Sequence, residues 1–329
     1  MVRFSLIIPV APGREAEILS SIRRLDYPAA DYEVVVVKGS NPSANRNLGA
    51  DRARGDILVF LDDDASIPSD YLQRAEAVFA KYPAVDIVGG PQLTSKSDKP
   101  FSKISWYALS SFFGAWKVSH RYAVRKTRLN VDETAVSSAN LLCRKAVLER
   151  IRFDTKLFPG EDPRFIADAR KAGFKIAYSP MILLYHRRRP TMLRLVQQIF
   201  SYGKARPQKE TVRETMKMPF FFVPSLFLLY LTMLGVLISL QPREPDMAPA
   251  LRNGFIGLSA TGIMLFSPLM IYAISALFFA VYDAVKNRDY KAVLILPFIY
   301  PVIHLSYGLG MIWGYILKIM PDRSTGGQK

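Results

Sequence analysis

A mostly parallel α/β domain followed by a C-terminal helical membrane region is the fold class that this sequence predicts. Strand and helix patterns alternate over residues 1 to about 185, the apolar run Ile57–Leu61 ends abruptly in Asp62, Asp63 and Asp64, and three long apolar segments crowd the C-terminal end. With 329 residues and 44 Lys and Arg against 28 Asp and Glu, a net charge of +16, the chain is too long and too apolar at one end to be a single soluble domain.

The elements follow in order. Phe4–Pro9 reads as a first buried strand. Arg3 ahead of an apolar run imitates a secretory leader, but the run is short and meets Pro9 and Pro12 before any small-residue cleavage site. Ile18, Ile22 and Leu25 recur on one helical face, and Glu33–Val37 carries four valines in a row, a second strand. Ile57–Leu61 reads as a strand buried on both faces. Pro68-Ser69 opens a helix with Leu72, Ala75 and Phe79 on one side. Asp86–Val88 and the turn Gly89-Gly90-Pro91 close that half.

The stretch Phe101–Val118 is rich in aromatic residues beside Lys103 and Lys117, a composition that suits either a segment at a membrane surface or ordinary core packing. In Gly160-Glu161-Asp162-Pro163 the glycine makes a turn and the proline pre-sets a helix start. Two carboxylates at a helix N-terminus also complement its dipole without further purpose. The single cysteine, Cys143, cannot form an internal disulfide, which agrees with a reducing compartment, and it reads as a buried hydrophobe.

Residues 219–240, 253–282 and 292–317 carry no Asp, Glu, Lys or Arg. At about 1.5 Å rise per residue each is long enough to cross a hydrocarbon core roughly 30 Å thick. Pro297 and Pro301 predict a kink or break in the third, so a re-entrant hairpin is the alternative there. Lys286, Arg288 and Lys291 lie between spans two and three, whereas in the loop Gln241–Arg252 two arginines are offset by Glu244 and Asp246; this places the N-terminal domain in the cytoplasm. The mildly basic tail fits an outside location poorly. Gly308–Gly314 offers small residues for helix contact.

The position of Asp62, Asp63 and Asp64 also carries chemistry. Ligands in open α/β sheets gather beyond the carboxyl ends of the strands. Adjacent carboxylates repel one another unless a cation neutralises them, and hard oxygen ligands suit Mg²⁺ or Mn²⁺ bound together with phosphates. The plainer reading is a solvated strand-to-helix turn in which one Asp caps the helix that follows.

Taken in order, the stretches Ser5–Pro9, Ala44–Gly49 followed by Ala53-Arg54-Gly55, Phe60–Asp64, Ser138-Ala139-Asn140, Gly160-Glu161-Asp162 and Ile176–His186 resemble a membrane-anchored member of glycosyltransferase family 2 over roughly residues 3 to 206. The resemblance implies an inverting enzyme with the GT-A fold, which binds a nucleotide-diphospho-sugar. It implies a domain at 1–206, a juxtamembrane linker at 207–218, a transmembrane region at 219–320 and a tail at 321–329. By position it implies Asp62 and Asp64 as nucleotide and metal ligands for Mn²⁺ or Mg²⁺, with Asp63 and Pro9 on the donor side. It implies Asp162 as catalytic base with Glu161 as its neighbour, and Arg46 and Asn47 near the nucleotide, although both also suit helix packing. His186 stands where some relatives place a metal ligand, although a lone histidine is more often structural. Asn140, Gln198, Tyr202 and Arg206 are implied on the acceptor or diphosphate side.

Two departures matter. Lys38 stands where the family commonly has an acid contacting the base or ribose, and a cation cannot accept a hydrogen bond from a ring N–H. No Arg-Trp pair follows Gln197-Gln198, which argues for transfer of one sugar per encounter. The partners implied are a nucleotide-diphospho-sugar donor, a lipid-linked acceptor and the bilayer, with no nucleic acid. A polyprenyl phosphate acceptor needs no base, whereas a hydroxyl does, and the acid pair favours the hydroxyl. A nucleotidyltransferase would want a fuller phosphate loop than Ala11-Pro12-Gly13-Arg14. A degenerate scaffold or accessory subunit would leave the ordered motifs unexplained, and a transporter would want charges in its spans.

Overall fold

The computed structural model describes residues 2–95, 97–240 and 260–320. The loop Gln241–Arg252, the first residues of the second apolar segment and the tail 321–329 lie outside the described residues, so the charge argument for orientation is not carried further by them. The described chain forms two compact units, residues up to Arg194 and residues from Leu195 onward.

The strands are β1 (Phe4–Val10), β2 (Tyr32–Lys38), β3 (Ile57–Leu61), β4 (Ala65–Ser66), β5 (Ile87–Gly89), β6 (Gln92–Leu93), β7 (Arg128–Leu129), β8 (Asn140–Arg144), β9 (Ile176–Tyr178) and β10 (Leu184–His186). The helices are α1 (Leu19–Ile22), α2 (Pro42–Arg52), α3 (Tyr71–Lys81), α4 (Pro100–Ser110), α5 (Phe112–Ala115), α6 (Lys145–Arg150), α7 (Glu161–Lys171), α8 (Met192–Lys209), α9 (Val212–Met216), α10 (Val223–Ser239), α11 (Ala260–Lys286) and α12 (Leu296–Ile319). The chain passes from the first unit to the second inside α8.

In the first unit a seven-stranded sheet runs β2-β1-β3-β8-β5-β9-β7. β1, β2, β3, β5 and β9 share one direction, and β8 and β7 run against them, so the sheet is mostly parallel with one antiparallel insertion and one antiparallel edge. Both faces are covered. Phe4, Leu6, Ile8 and Val10 of β1 pack into one core, while Ile7, Leu58 and Phe60 pack into the other. That double burial is why β1 and β3 read as unbroken apolar runs rather than alternating ones. A second, three-stranded sheet, β4-β10-β6, sits beyond the end of β3.

The helical pattern at Ile18, Ile22 and Leu25 produces only the single turn α1. Ser20 and Ser21 bond their hydroxyls to the carbonyls of Glu17 and Ile18, a local alternative that competes with helix propagation. Ile18 and Ile22 are nonetheless buried. By contrast α2 is well nucleated: Asn41 caps it by accepting from the Ala44 N–H at 3.0 Å, and Pro42 occupies its first turn.

In the second unit three helices are long and apolar enough to cross a membrane: Pro219–Ser239, Gly262–Lys286 and Leu296–Ile319. The third is one continuous helix and not a hairpin. Pro297 lies in its first turn, where no N–H is required, and Pro301 costs only one hydrogen bond a turn later. α11 continues past residue 282 and thereby includes Asp283, which is buried and accepts from the Tyr300 hydroxyl at 2.7 Å.

The glycines of α12 serve packing within the chain. A Cβ on Gly310 would lie 2.1 Å from the Phe200 carbonyl oxygen of α8, one on Gly314 would lie 2.4 Å from that of Lys204, and one on Gly308 would lie 2.5 Å from that of Pro224 in α10. Backbones approach this closely only where a side chain is missing. Gly310→Leu is expected to cost about 1–3 kcal/mol through overpacking, read as a lowered thermal midpoint of the full chain in detergent. An unchanged midpoint would show that the helices separate at no cost.

Candidate active site

The three acids sit where β3 ends, and the tertiary structure supplies their neighbours. β10 pairs antiparallel with β4, with His186 opposite Ala65, and this register sets the imidazole beside the acids. His186 Nε2 lies 3.1 Å from Asp64 Oδ1 and 3.4 Å from Asp62 Oδ2. One ligand atom from each of Asp62, Asp64 and His186 falls within 4.8 Å of the others. Asp63 points differently, paired at 3.1 Å with Arg14, which also reaches Asp64 at 3.1 Å.

Arg46, on α2, joins the two acid clusters. One guanidinium nitrogen lies 3.2 Å from Asp62 and another 2.9 Å from Glu161, and the side chain is 6% exposed. The Phe153 ring lies 5.5 Å away, a cation–π contact. Glu161 begins α7 directly after Gly160, whose φ of +115° is a conformation that favours glycine. Asp162 pairs with Arg121 at 3.5 Å, and Arg121 also donates to the Glu133 carbonyl.

These contacts set the protonation of the site. Burial by itself raises the carboxyl of Asp64, but His186 and Arg14 outweigh it and hold the group well below the usual carboxylate range. Asp62 is lowered likewise, with His186 and Arg46 overcoming its burial. Burial lowers His186, yet the carboxylates of Asp62 and Asp64 beside it raise it on balance. Asp63 is raised by burial and by its acidic neighbours against the pull of Arg14. Glu161 is raised by burial and by the adjacent Asp162, with Arg46 opposing. The site thus holds two firmly ionised carboxylates beside a histidine.

A divalent cation fits this donor set. His186 Nε2 is buried and makes no well-aligned hydrogen bond despite its short distances to both acids, and Asp63 Oδ2 is likewise without a partner. Buried polar atoms left in that state call for an explanation, and beside two ionised carboxylates a bound cation supplies one. Two carboxylate oxygens and an imidazole nitrogen are ligands that Mn²⁺ accepts readily and Mg²⁺ accepts through its oxygens.

Other residues singled out in the sequence lie elsewhere. Pro9 is buried in β1 opposite Val37, and Lys38 is exposed at the end of β2 opposite Val10. Asn47 donates to the Phe153 carbonyl at 2.8 Å and accepts from the Phe153 N–H at 3.0 Å, so its amide latches the segment after α6. Asn140 is fully buried, accepts from the Tyr71 hydroxyl at 2.7 Å and donates to the Ile182 carbonyl at 2.7 Å. Asn140→Ala is therefore expected to cost about 1–3 kcal/mol by stranding the Tyr71 hydroxyl, seen as a lower unfolding midpoint. A loss of transfer with full stability would argue instead for contact with substrate.

Gln198, Tyr202 and Arg206 belong to the second unit. Gln198 donates to the Tyr202 hydroxyl at 2.9 Å. Arg206 is committed to Glu210 at 2.8 Å and to the Phe221 ring at 3.3 Å. Arg14 and Arg121, in contrast, are site residues that sequence reasoning missed. Arg14 follows β1 in a stretch too sparse for a phosphate loop, and Arg121 lies three residues past the aromatic stretch; the signal available for both was a basic residue near the end of an element.

Comparison with known proteins places these features. The family described as "Glycosyltransferase like family 2" matches residues 2–201. Glycosyltransferase AglE of Haloferax volcanii is 25% identical over 235 residues, covering 62% of this chain and 73% of that protein. The mannosyltransferase PcManGT from Pyrobaculum calidifontis, solved in complex with GDP-Man and Mn²⁺, superposes with a TM-score of 0.51 at 16% identity, over 96% of this chain and 88% of that one. TarS of S. aureus superposes with a TM-score of 0.44 at 16% identity, over 91% of each chain.

Proposed function

The chain belongs to glycosyltransferase family 2, and from that premise we propose a metal-dependent, inverting enzyme that moves a sugar from a nucleotide-diphospho-sugar to a hydroxyl of a lipid-linked saccharide or other membrane acceptor. The observation that carries the proposal is the convergence of Asp62, Asp64 and His186 in one ligand cluster, joined through Arg46 to the acid pair Glu161 and Asp162.

Asp62, Asp64 and His186 would hold the cation, whose charge would stabilise the diphosphate as it leaves. The chain's own residues do the rest. Arg46 holds Asp62 and Glu161 at a common guanidinium and so sets the distance between the donor end and the acceptor end of the site. Arg14, half-exposed beside Asp63 and Asp64, is a cation within reach of the donor phosphates. Asp162 takes the proton of the acceptor hydroxyl as that oxygen attacks the anomeric carbon from the face opposite the leaving group. Lys38, exposed at the end of β2, shapes the nucleotide preference.

The proposal extends to the bilayer: residues 1–206 form the catalytic domain, on the cytoplasmic side by the distribution of positive charge, and the three apolar helices anchor it. Anchoring of that kind suits a lipid-linked acceptor.

The test is nucleotide-sugar turnover by the full chain in detergent with Mn²⁺ or Mg²⁺, across UDP-, GDP- and dTDP-sugars with membrane lipid extract. Chelation is expected to abolish nucleotide release, and Asp162→Asn to lower transfer by about a hundredfold or more, as expected for removal of a general base. The pairing of Asp162 with Arg121 favours a second reading, in which Arg121 meets an anionic polyprenyl phosphate that needs no base. Near-full transfer by Asp162→Asn, with chelation still abolishing it, would select that reading.

A further inference from the structure

From Lys99 to Val131 the sequence holds seven Lys and Arg and no Asp or Glu. Within this segment Ile104, Tyr107, Ala108 and Leu109 of α4 turn into the first unit and are buried. The inner side is further tied down: Trp106 Nε1 donates to the Gln92 carbonyl at 3.2 Å, and the Arg188 guanidinium lies 4.8 Å from the Tyr122 ring. The outer side is different. Phe112 is 48% exposed, Trp116 43%, Val124 58% and Leu129 50%. Core packing explains α4 and leaves these four unexplained.

The exposed apolar groups follow one another with Lys117, Lys126 and Arg128 along residues 112–129, and part of this run is tied together. The Phe112 and Trp116 ring centroids lie 4.0 Å apart with the planes tilted by 42°. His120 bonds to the Lys117 carbonyl at 2.6 Å through Nδ1 and lies 3.0 Å from the Arg128 guanidinium through Nε2, which joins the turn at Trp116–Arg121 to β7. Trp116 has φ +47° and ψ −131°, a backbone conformation that a residue with a Cβ rarely adopts and that costs about 1–3 kcal/mol. Strained backbone positions cluster at functional sites, and this one carries a 43% exposed aromatic. β7 is also an edge strand, and charge on an edge discourages strand pairing, but that need accounts for Arg128 and not for Leu129 or the exposed aromatic pair.

We infer that this patch, Phe112, Trp116, Val124 and Leu129 set among Lys117, Lys126 and Arg128, lies on the headgroup layer of an anionic bilayer. Aromatic and aliphatic tips enter the boundary between headgroups and acyl chains while the ammonium and guanidinium groups meet lipid phosphates, each cation contributing about 1 kcal/mol near such a surface. A bilayer is the partner because the segment combines exposed apolar side chains with seven Lys and Arg and carries no Asp or Glu between Lys99 and Val131. The inference rests on the membrane location proposed for the chain. It adds that the catalytic domain itself touches lipid, through the same segment whose Arg121 pairs with Asp162, the candidate base.

The test uses the full chain. Its one native cysteine is fully buried, so a nitroxide placed by Val124→Cys reports alone. The protein is reconstituted in vesicles of phosphatidylcholine with phosphatidylglycerol, or of phosphatidylcholine only, and flotation with the vesicles establishes anchoring independently of the label. The expected result is a label that meets oxygen more than a water-soluble nickel chelate in the anionic vesicles, with the ratio falling about fivefold in neutral ones. In Lys117→Glu/Lys126→Glu/Arg128→Glu the label should return to water in both. A floated protein whose label stays in water in the anionic vesicles overturns the inference, as does equal lipid contact for both proteins in both kinds of vesicle; failure to float counts against the membrane location itself.

Discussion

Asp64→Ala is expected to lower metal-dependent sugar transfer by about a thousandfold or more, the scale on which removal of a principal electrostatic stabiliser acts. Asp64 is the acid with the most support: its carboxylate is within 3.1 Å of His186 Nε2 and of Arg14, and both partners hold it ionised. Its removal takes one of the three candidate ligands and leaves His186 and Arg14 without their shared counter-charge. Fold should be retained, because the residue lies 13% exposed in a turn outside both hydrophobic cores. The measurement is nucleotide release and product formation against Mn²⁺ concentration. Full activity with an unchanged metal requirement would remove Asp64 from the cation site, and loss of activity together with loss of folding would assign it a structural role.

Arg46→Ala should act on both stability and catalysis. The guanidinium is buried between Asp62 and Glu161, and Glu161 is 7% exposed with Arg46 as its cationic partner. Breaking a buried pair by removing one member costs about 3–5 kcal/mol, because the remaining charge stays desolvated. Glu161 then takes up a proton more readily, since the cation opposing its burial is gone. Arg46→Lys should rescue little, as one ammonium cannot span two carboxylates the way a planar fork does. Adding Glu161→Gln to Arg46→Ala should recover part of the lost stability by removing the stranded charge. These changes are read as thermal midpoints in detergent alongside transfer rates. A midpoint unmoved by Arg46→Ala would show that the two acid clusters are independent.

Much of the architecture was legible in the chain. The valines of β2, the apolar run of β3 and the Leu72, Ala75 and Phe79 stripe of α3 are local patterns whose period reports how many faces are buried. The three apolar segments were legible for the same reason, as length and composition alone decide whether a helix can span a hydrocarbon layer. The single turn at Leu19–Ile22 was misjudged because serine hydroxyls bonding to nearby carbonyls do not alter an apolar period. The hairpin alternative at Pro297 and Pro301 fell because a proline in the first turn of a helix breaks nothing. The bond of Asn140 to Tyr71 was not legible, because a polar side chain beside a motif looks the same in sequence whether it meets substrate or a buried tyrosine.

The sequence by itself determined an α/β domain, its acids at the end of a buried strand and three membrane-length helices, since each is written in the order and period of neighbouring residues. Only the tertiary structure decided that His186 stands beside Asp64, through the register of two short strands, and that Arg46 bridges to Glu161, 115 residues away along the chain. It also decided that the glycines of α12 admit the backbones of α8 and α10. Those decisions depend on which distant surfaces bury each other, and distance along a chain carries no record of that.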